Sequence, residues 1–167
     1  MVSLQRFWRH LITTHGTVRR HFPAASLQRI ELAIKTCEER HAGEIRFAIE
    51  PALHPAQLRR NLGPRDRAIE VFSQLRVWDT EHNNGVLIYL LLADRAIELV
   101  ADRGVAGGHV AEGEWEAVGA LVQKYFREGA FEEGVVAGIE AVADLLARYP
   151  PGAPRLANEL PDAPAIL

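Results

Sequence analysis

The chain has 167 residues, 48% of them hydrophobic and 25% charged, with a formal net charge of -3. That is enough for one domain with a real core, and it argues against wholesale disorder. A single cysteine, Cys37, excludes an intrachain disulfide framework and a multi-thiolate metal site. The longest apolar run, Val86 to Ala93, is too short to cross a bilayer, and Arg6, Arg9 and His10 interrupt any signal-peptide core. The expectation is a soluble, cytoplasmic protein.

Charge is unevenly placed. Five arginines (Arg6, Arg9, Arg19, Arg20, Arg29) precede Glu31, with no acidic residue among them. A basic arm of this kind suits phosphates, anionic lipid or an acidic partner. The plainer expectation is that residues 1–25 dock on the acidic body of their own domain or of a second copy. Leu4, Phe7, Trp8 and Leu11 recur at helical spacing, which predicts a short amphipathic helix in the arm. Such a helix can also lie on a membrane surface.

Pro23 breaks the chain, and Ser26 is the expected N-cap of the next helix. Leu27, Ile30, Ala33, Ile34 and Cys37 form its apolar stripe, Glu31, Glu38, Glu39 and Arg40 face outward, and Gly43 closes it. Cys37 reads as a small core residue; His41, close to Glu38 and Glu44, could assist a proton transfer, a surface histidine at a helix end being the plainer reading. Glu44 to Glu50 alternates as a strand, with Ile45, Phe47 and Ile49 on one face and Glu44, Arg46, Ala48 and Glu50 on the other. Pro51 and Pro55 open a loop. Pro64 starts a helix that buries Ala68, Val71 or Phe72, and Leu75, and closes near Trp78.

Gly85 to Leu92 reads as a strand buried on both faces. Ala93-Asp94 is the expected turn into a return strand, Arg95 to Ala101, nearer the sheet edge. Strand, helix, strand implies a parallel crossover, and the hairpin adds an antiparallel partner, so the sheet is mixed. Two helices follow, one carrying Trp115, Val118, Leu121, Val122, Tyr125 and Phe126, the other Phe131, Val135, Val136, Ile139, Val142, Leu145 and Leu146. Residues 150–167 hold five of the nine prolines and are expected to be a mobile tail.

If Ala93-Asp94 is the turn, paired positions sum to about 187, by antiparallel pairing. Gly85 then faces Asp102, and Asn84 faces Arg103. One end of the ribbon gathers Asp79, Glu81, His82, Asn83, Asn84, Asp102 and Arg103. Asp79, Glu81 and Asp102 are the candidate ligands for a hard cation, Ca²⁺ or Mg²⁺. Asn83, Asn84 and Arg103 are the candidate ligand-binding residues, with Arg103 suited to phosphate. Gly85 and Gly104 would let backbone carbonyls approach closely. Ordinary turn chemistry is the competing explanation of both loops.

Other signatures fail. Gly104 to His109 lacks the lysine and Ser/Thr of a P-loop and the spacing of a dinucleotide fingerprint. No nucleophile elbow occurs, no organic cofactor is implied, and the basic residues lack the aromatic platforms of a specific nucleic-acid binder.

The ordered words His41-Ala42-Gly43-Glu44-Ile45-Arg46-Phe47-Ala48-Ile49-Glu50, Asn83-Asn84-Gly85-Val86-Leu87-Ile88-Tyr89-Leu90, Val100-Ala101-Asp102-Arg103-Gly104-Val105 and Phe126-Arg127-Glu128-Gly129-Ala130-Phe131-Glu132-Glu133-Gly134 resemble the TPM domain family, as does Tyr149-Pro150. The resemblance spans about residues 26 to 149. It implies a three-layer α/β/α sandwich around a small mixed sheet, here with an N-terminal helical arm. Calcium binding near the strand-end loops and acid phosphatase activity are what it implies about function. Asn83-Asn84-Gly85 stands where many members have Asp-Asn-Gly, and Asp102-Arg103-Gly104 where they have Gly-Tyr-Gly. The expected function is an interaction or scaffold module that meets a protein partner or a second copy of itself. A weak metal-assisted phosphatase is the alternative.

Overall fold

The computed structural model describes residues 3–106, 110–148 and 157–167. Helices α1 (Leu4–Ile12), α2 (His15–His21) and α3 (Ala24–Glu38) lead into strand β1 (Glu44–Glu50). Helices α4 (Pro55–Arg59) and α5 (Pro64–Gln74) connect it to β2 (Gly85–Leu91). A 3₁₀ turn (Leu92–Asp94) and β3 (Ala96–Ala101) follow, then α6 (Arg103–Ala106), α7 (Glu112–Arg127), α8 (Phe131–Arg148) and the short β4 (Ala165–Ile166). The sheet order is β3-β2-β1-β4, with β1 parallel to β2 and to β4, and β2 antiparallel to β3. The sheet is therefore mixed, as the hairpin and crossover require.

Two apolar layers sandwich it. Ile45, Phe47 and Ile49 of β1 share one core with Val86, Ile88 and Leu90 of β2 and with the stripes of α3, α7 and α8. Ala48, Leu87, Tyr89 and Leu91 face the other way, onto Leu58 of α4 and Ala68 and Val71 of α5. Period-2 alternation sends successive side chains into opposite cores, which is why β2 can be apolar throughout. The fold is an α/β/α sandwich.

Several boundaries differ from those expected. Pro23 caps α3, and Ser26 lies inside the helix, where its hydroxyl donates to Glu132 at 2.5 Å. The segment after Thr14 forms α2, which sequence periodicity did not reveal. Pro55 opens a short helix capped by His54, because proline's fixed φ suits a first helical position. Helix α5 ends at Gln74, short of Trp78. The hairpin uses four residues, 92 to 95, with Arg95 left-handed at φ 49°, in place of the two-residue Ala93-Asp94 turn. The pairing is unaffected, since a symmetric lengthening of a turn preserves register.

The C-terminal stretch was expected to be mobile. Its described residues, 157–167, instead pack on the domain: Leu160 is buried, β4 pairs with β1, and Leu167 donates its N–H to Ile49. Residues 150–156 lie outside the described residues.

The face of β1 expected to be polar is itself covered. Glu50 receives Arg67 Nε at 2.8 Å, Arg67 Nη2 at 3.1 Å and the Tyr89 hydroxyl at 2.6 Å. Burial, then the Glu50 charge and hydrogen bond, push the Tyr89 phenol far above its ordinary range. Burial opposes the Arg67 charge, but its bonds to Glu50 and Glu70 outweigh that and hold the guanidinium charged. A buried carboxylate persists here because an arginine fork and a phenol satisfy it together.

The arm docks on its own domain. Arg6 donates through Nε and Nη2 to Asp94, Arg9 approaches the same carboxylate at 3.5 Å, and His10 Nε2 lies 3.1 Å from it. His10 Nδ1 accepts the N–H of Leu53 at 3.0 Å, which fixes the ring proton on Nε2, toward Asp94. Among the described residues no helix is long and apolar enough to cross a membrane.

Candidate functional site

The parallel register pairs Glu44 with Gly85, so β1 and β2 begin side by side. The hairpin pairs Val86 with Ala101, the register expected, so β3 ends at the same place. Beyond the strands the ladder continues: Asp102 N–H donates to the Gly85 carbonyl and Gly104 N–H to the Asn83 carbonyl, each at 2.9 Å. The two polar loops therefore meet, and the backbone itself joins them.

Glycine is what permits the meeting. A Cβ on Gly85 would lie 2.1 Å from the Val77 carbonyl oxygen. One on Gly104 would lie 2.4 Å from the carbonyl oxygen of His82 and 2.5 Å from that of Asn83. Both distances are inside van der Waals contact, so only a residue without a side chain fits. Asn83 adopts a left-handed φ of 51°, a conformation asparagine tolerates well.

The six candidate residues separate into two groups. Asn84 is buried: its N–H donates to Thr80 Oγ1 at 3.0 Å, its carbonyl accepts from Glu44 N–H, and its Nδ2 donates to the Ala42 carbonyl at 2.6 Å. That last bond orients the amide, because a flipped side chain would set oxygen against oxygen. Asp102 Oδ1 accepts the N–H of Arg103 at 2.7 Å. Asn84 Oδ1 and Asp102 Oδ2 are both buried without a hydrogen-bond partner among the described residues. By contrast Asp79, Glu81 and Arg103 are exposed, and Asn83 half-buried. Arg46 of β1 donates to the carbonyls of Pro161, at 2.6 Å, and Ala163.

Three buried polar residues here escaped the sequence reading. Glu38, expected to face outward, is buried and accepts the N–H of Ile45 at 2.7 Å. Glu44 is fully buried, and its Oε2 receives the N–H groups of Leu160 and Glu159 at 3.2 and 3.3 Å. His41, expected at the surface, is 8% exposed, with Nδ1 3.1 Å from the Gly43 carbonyl. The C-terminal segment closes over this end of the sheet, and Glu159 also accepts the N–H of Glu81 at 2.8 Å. No local pattern around Glu44 signals a cover that arrives from more than a hundred residues away.

These donors are hard oxygens, which suit Ca²⁺ or Mg²⁺ and not zinc. Among the described residues no three His, Cys, Asp or Glu side chains gather as metal ligands. The glycine-rich stretch after Asp102 is only partly visible, since residues 107–109 lie outside the described residues. Next to the site, a groove of about 470 Å³ runs between β3 and α7, lined by Ile97, Leu99, Ala101 and Trp115. Arg65 spans it to the Leu99 carbonyl and lies 3.8 Å from Glu98, whose carboxyl is held above its ordinary range by burial.

Comparison with known proteins agrees with this architecture. The BA42 protein of the psychrophilic bacterium Bizionia argentinensis has a similar structure, with a TM-score of 0.76 and 30% identity. The match covers 87% of this chain and 95% of that one. The N-terminal domain of a protein from P.gingivalis shares the fold at a TM-score of 0.62 and 20% identity, over 78% of this chain and 80% of that one. No curated protein matches the chain. The TPM domain model matches residues 20–145, the segment that builds most of both cores and both strand-end loops, and the chain belongs to the TPM domain family.

Proposed function

We propose that this domain is a non-catalytic interaction module whose strand-end loops take a hard divalent cation, Ca²⁺ or Mg²⁺. The observation that carries it is two buried oxygens with no hydrogen-bond partner among the described residues, Asp102 Oδ2 and Asn84 Oδ1, where the ends of β2 and β3 are joined. Buried polar atoms in folded proteins nearly always have a partner, and a bound ion or water is the usual explanation where the protein supplies none. Asp102 would ligate the ion, with backbone carbonyls and water completing the oxygen shell that such cations accept. Asp79 and Glu81, exposed on the same loop, would add negative potential at the rim. The His10–Asp94 pair has no nucleophile in its hydrogen-bond set, so it does not serve as acid–base machinery. The reading places the protein in the cytoplasm, where Cys37 stays a buried free thiol.

The alternative is a metal-assisted phosphatase. Its support is the exposed Arg103 beside Asp102, which could receive a phosphate next to the ion.

The test is a Ca²⁺ and a Mg²⁺ titration followed by amide NMR. Resonances of residues 83–85 and 102–104 should move, and Asp102→Asn should abolish the shifts. If those resonances stay still at millimolar cation, the ion site is wrong. Phosphomonoester turnover that disappears in Arg103→Gln would favour the enzyme.

A further inference from the structure

Helix α1 is turned the unusual way round. Two of its polar residues face inward: His10 is buried, and Arg6 is half-buried against Asp94 and the Leu62 carbonyl, while Gln5 and Arg9 stay exposed at the side. Its apolar residues face solvent, with Leu4 73%, Trp8 54%, Leu11 56% and Ile12 70% exposed. The polar docking dictates this, since Arg6 and His10 lie on one side of the helix and the apolar stripe on the other. A contiguous exposed apolar face of this kind marks an interaction surface.

Charge selects the occupant. No acidic residue occurs before Glu31, and Arg19 and Arg20 are exposed on α2. Burial, then the charges of Arg20 and Arg95, hold the His21 imidazole below its ordinary pKa, so Arg95 of the hairpin turn stands beside α2. Arg59 and Arg60 are exposed at the end of α4, two residues before the Leu62 that receives Arg6. All of these lie at the hairpin-turn end of the sheet, opposite the strand-end loops. A second copy fits poorly. A nine-residue helix is only about 13 Å long and falls well short of the roughly 800 Å² per partner of a stable interface. Symmetric pairing would also set arginine against arginine.

We propose that this end of the protein docks on an anionic lipid surface. Helix α1 lies in the headgroup boundary with Leu4, Trp8, Leu11 and Ile12 inserted, while Arg19, Arg20 and Arg95 meet lipid phosphates. The strand-end loops then point away from the membrane, into solvent, free to meet a partner.

The experiment is co-sedimentation of the full chain with vesicles of phosphatidylcholine containing about 30% phosphatidylglycerol, against pure phosphatidylcholine. Binding to the anionic vesicles alone is expected. The double variant Trp8→Glu, Leu11→Glu should lose it with an unchanged melting temperature, because neither side chain is in a core. Arg19→Gln with Arg20→Gln should weaken binding by roughly 25-fold, about fivefold per arginine. No binding, equal binding to both vesicles, or binding retained in the Trp8, Leu11 variant overturns the proposal. A dimer in sedimentation equilibrium that the same variant dissolves also overturns it, and assigns the face to a second copy.

Discussion

Arg6 and Asp94 form a two-pronged ion pair, Nη2 to Oδ2 at 2.8 Å and Nε to Oδ2 at 3.0 Å, across 88 residues of sequence. It ties the N-terminal arm to the β2–β3 turn. Burial alone would raise the Asp94 carboxyl, but hydrogen bonds from His10 and Arg6 outweigh it and hold it down to about 2. A carboxyl depressed in the folded state contributes stability that is complete above its unfolded pKa, near 4. That contribution fades as pH falls from about 4 through about 2.

The arm should therefore undock at acid pH before the domain unfolds. Asp94→Asn should mimic the acid state at neutral pH. Losing the charged hydrogen bonds costs about 2 kcal/mol, so amide protection in residues 4–21 should fall roughly thirtyfold by hydrogen exchange. Unchanged protection there would mean that Asp94 does not hold the arm.

The Glu50–Arg67 pair makes a different prediction, because it is interior. Arg67→Met leaves the Glu50 carboxylate buried with only Tyr89 as a side-chain partner, and should destabilise the domain by about 3–5 kcal/mol in urea unfolding. Adding Glu50→Gln should recover much of that loss, since the uncompensated charge is then gone. A double variant no more stable than Arg67→Met would show that the arginine acts by packing alone.

Gly85→Ala should destabilise by about 3 kcal/mol, the upper end for overpacking, because the obstacle is the Val77 backbone carbonyl and not a yielding side chain. The same substitution should broaden the amide resonances of residues 77 and 102, which flank the contact. A neutral effect on the midpoint would mean that the loops can part without cost to the sheet.

Residue patterns specified much of this protein. The alternation of β1, the unbroken apolar β2 and the stripes of α7 and α8 assign the core that these elements share, because burial of one face imposes its period on the sequence. The register of the hairpin also followed from sequence, and with it the pairing of Gly85 with Asp102, since both loops are tied to one turn. Tertiary structure decided what the polar residues do. Glu38, Glu44 and Glu50 occupy positions that local periodicity assigns to solvent. Glu44 is covered by the C-terminal segment and Glu50 by Arg67, both arriving from distant parts of the chain, while Glu38 folds back on the first residues of β1 and accepts the Ile45 N–H. Likewise the amphipathic pattern of α1 fixed the helix but not which face it would bury. Asp94, buried on the turn and in need of cations, drew the charged side inward and left the apolar side out.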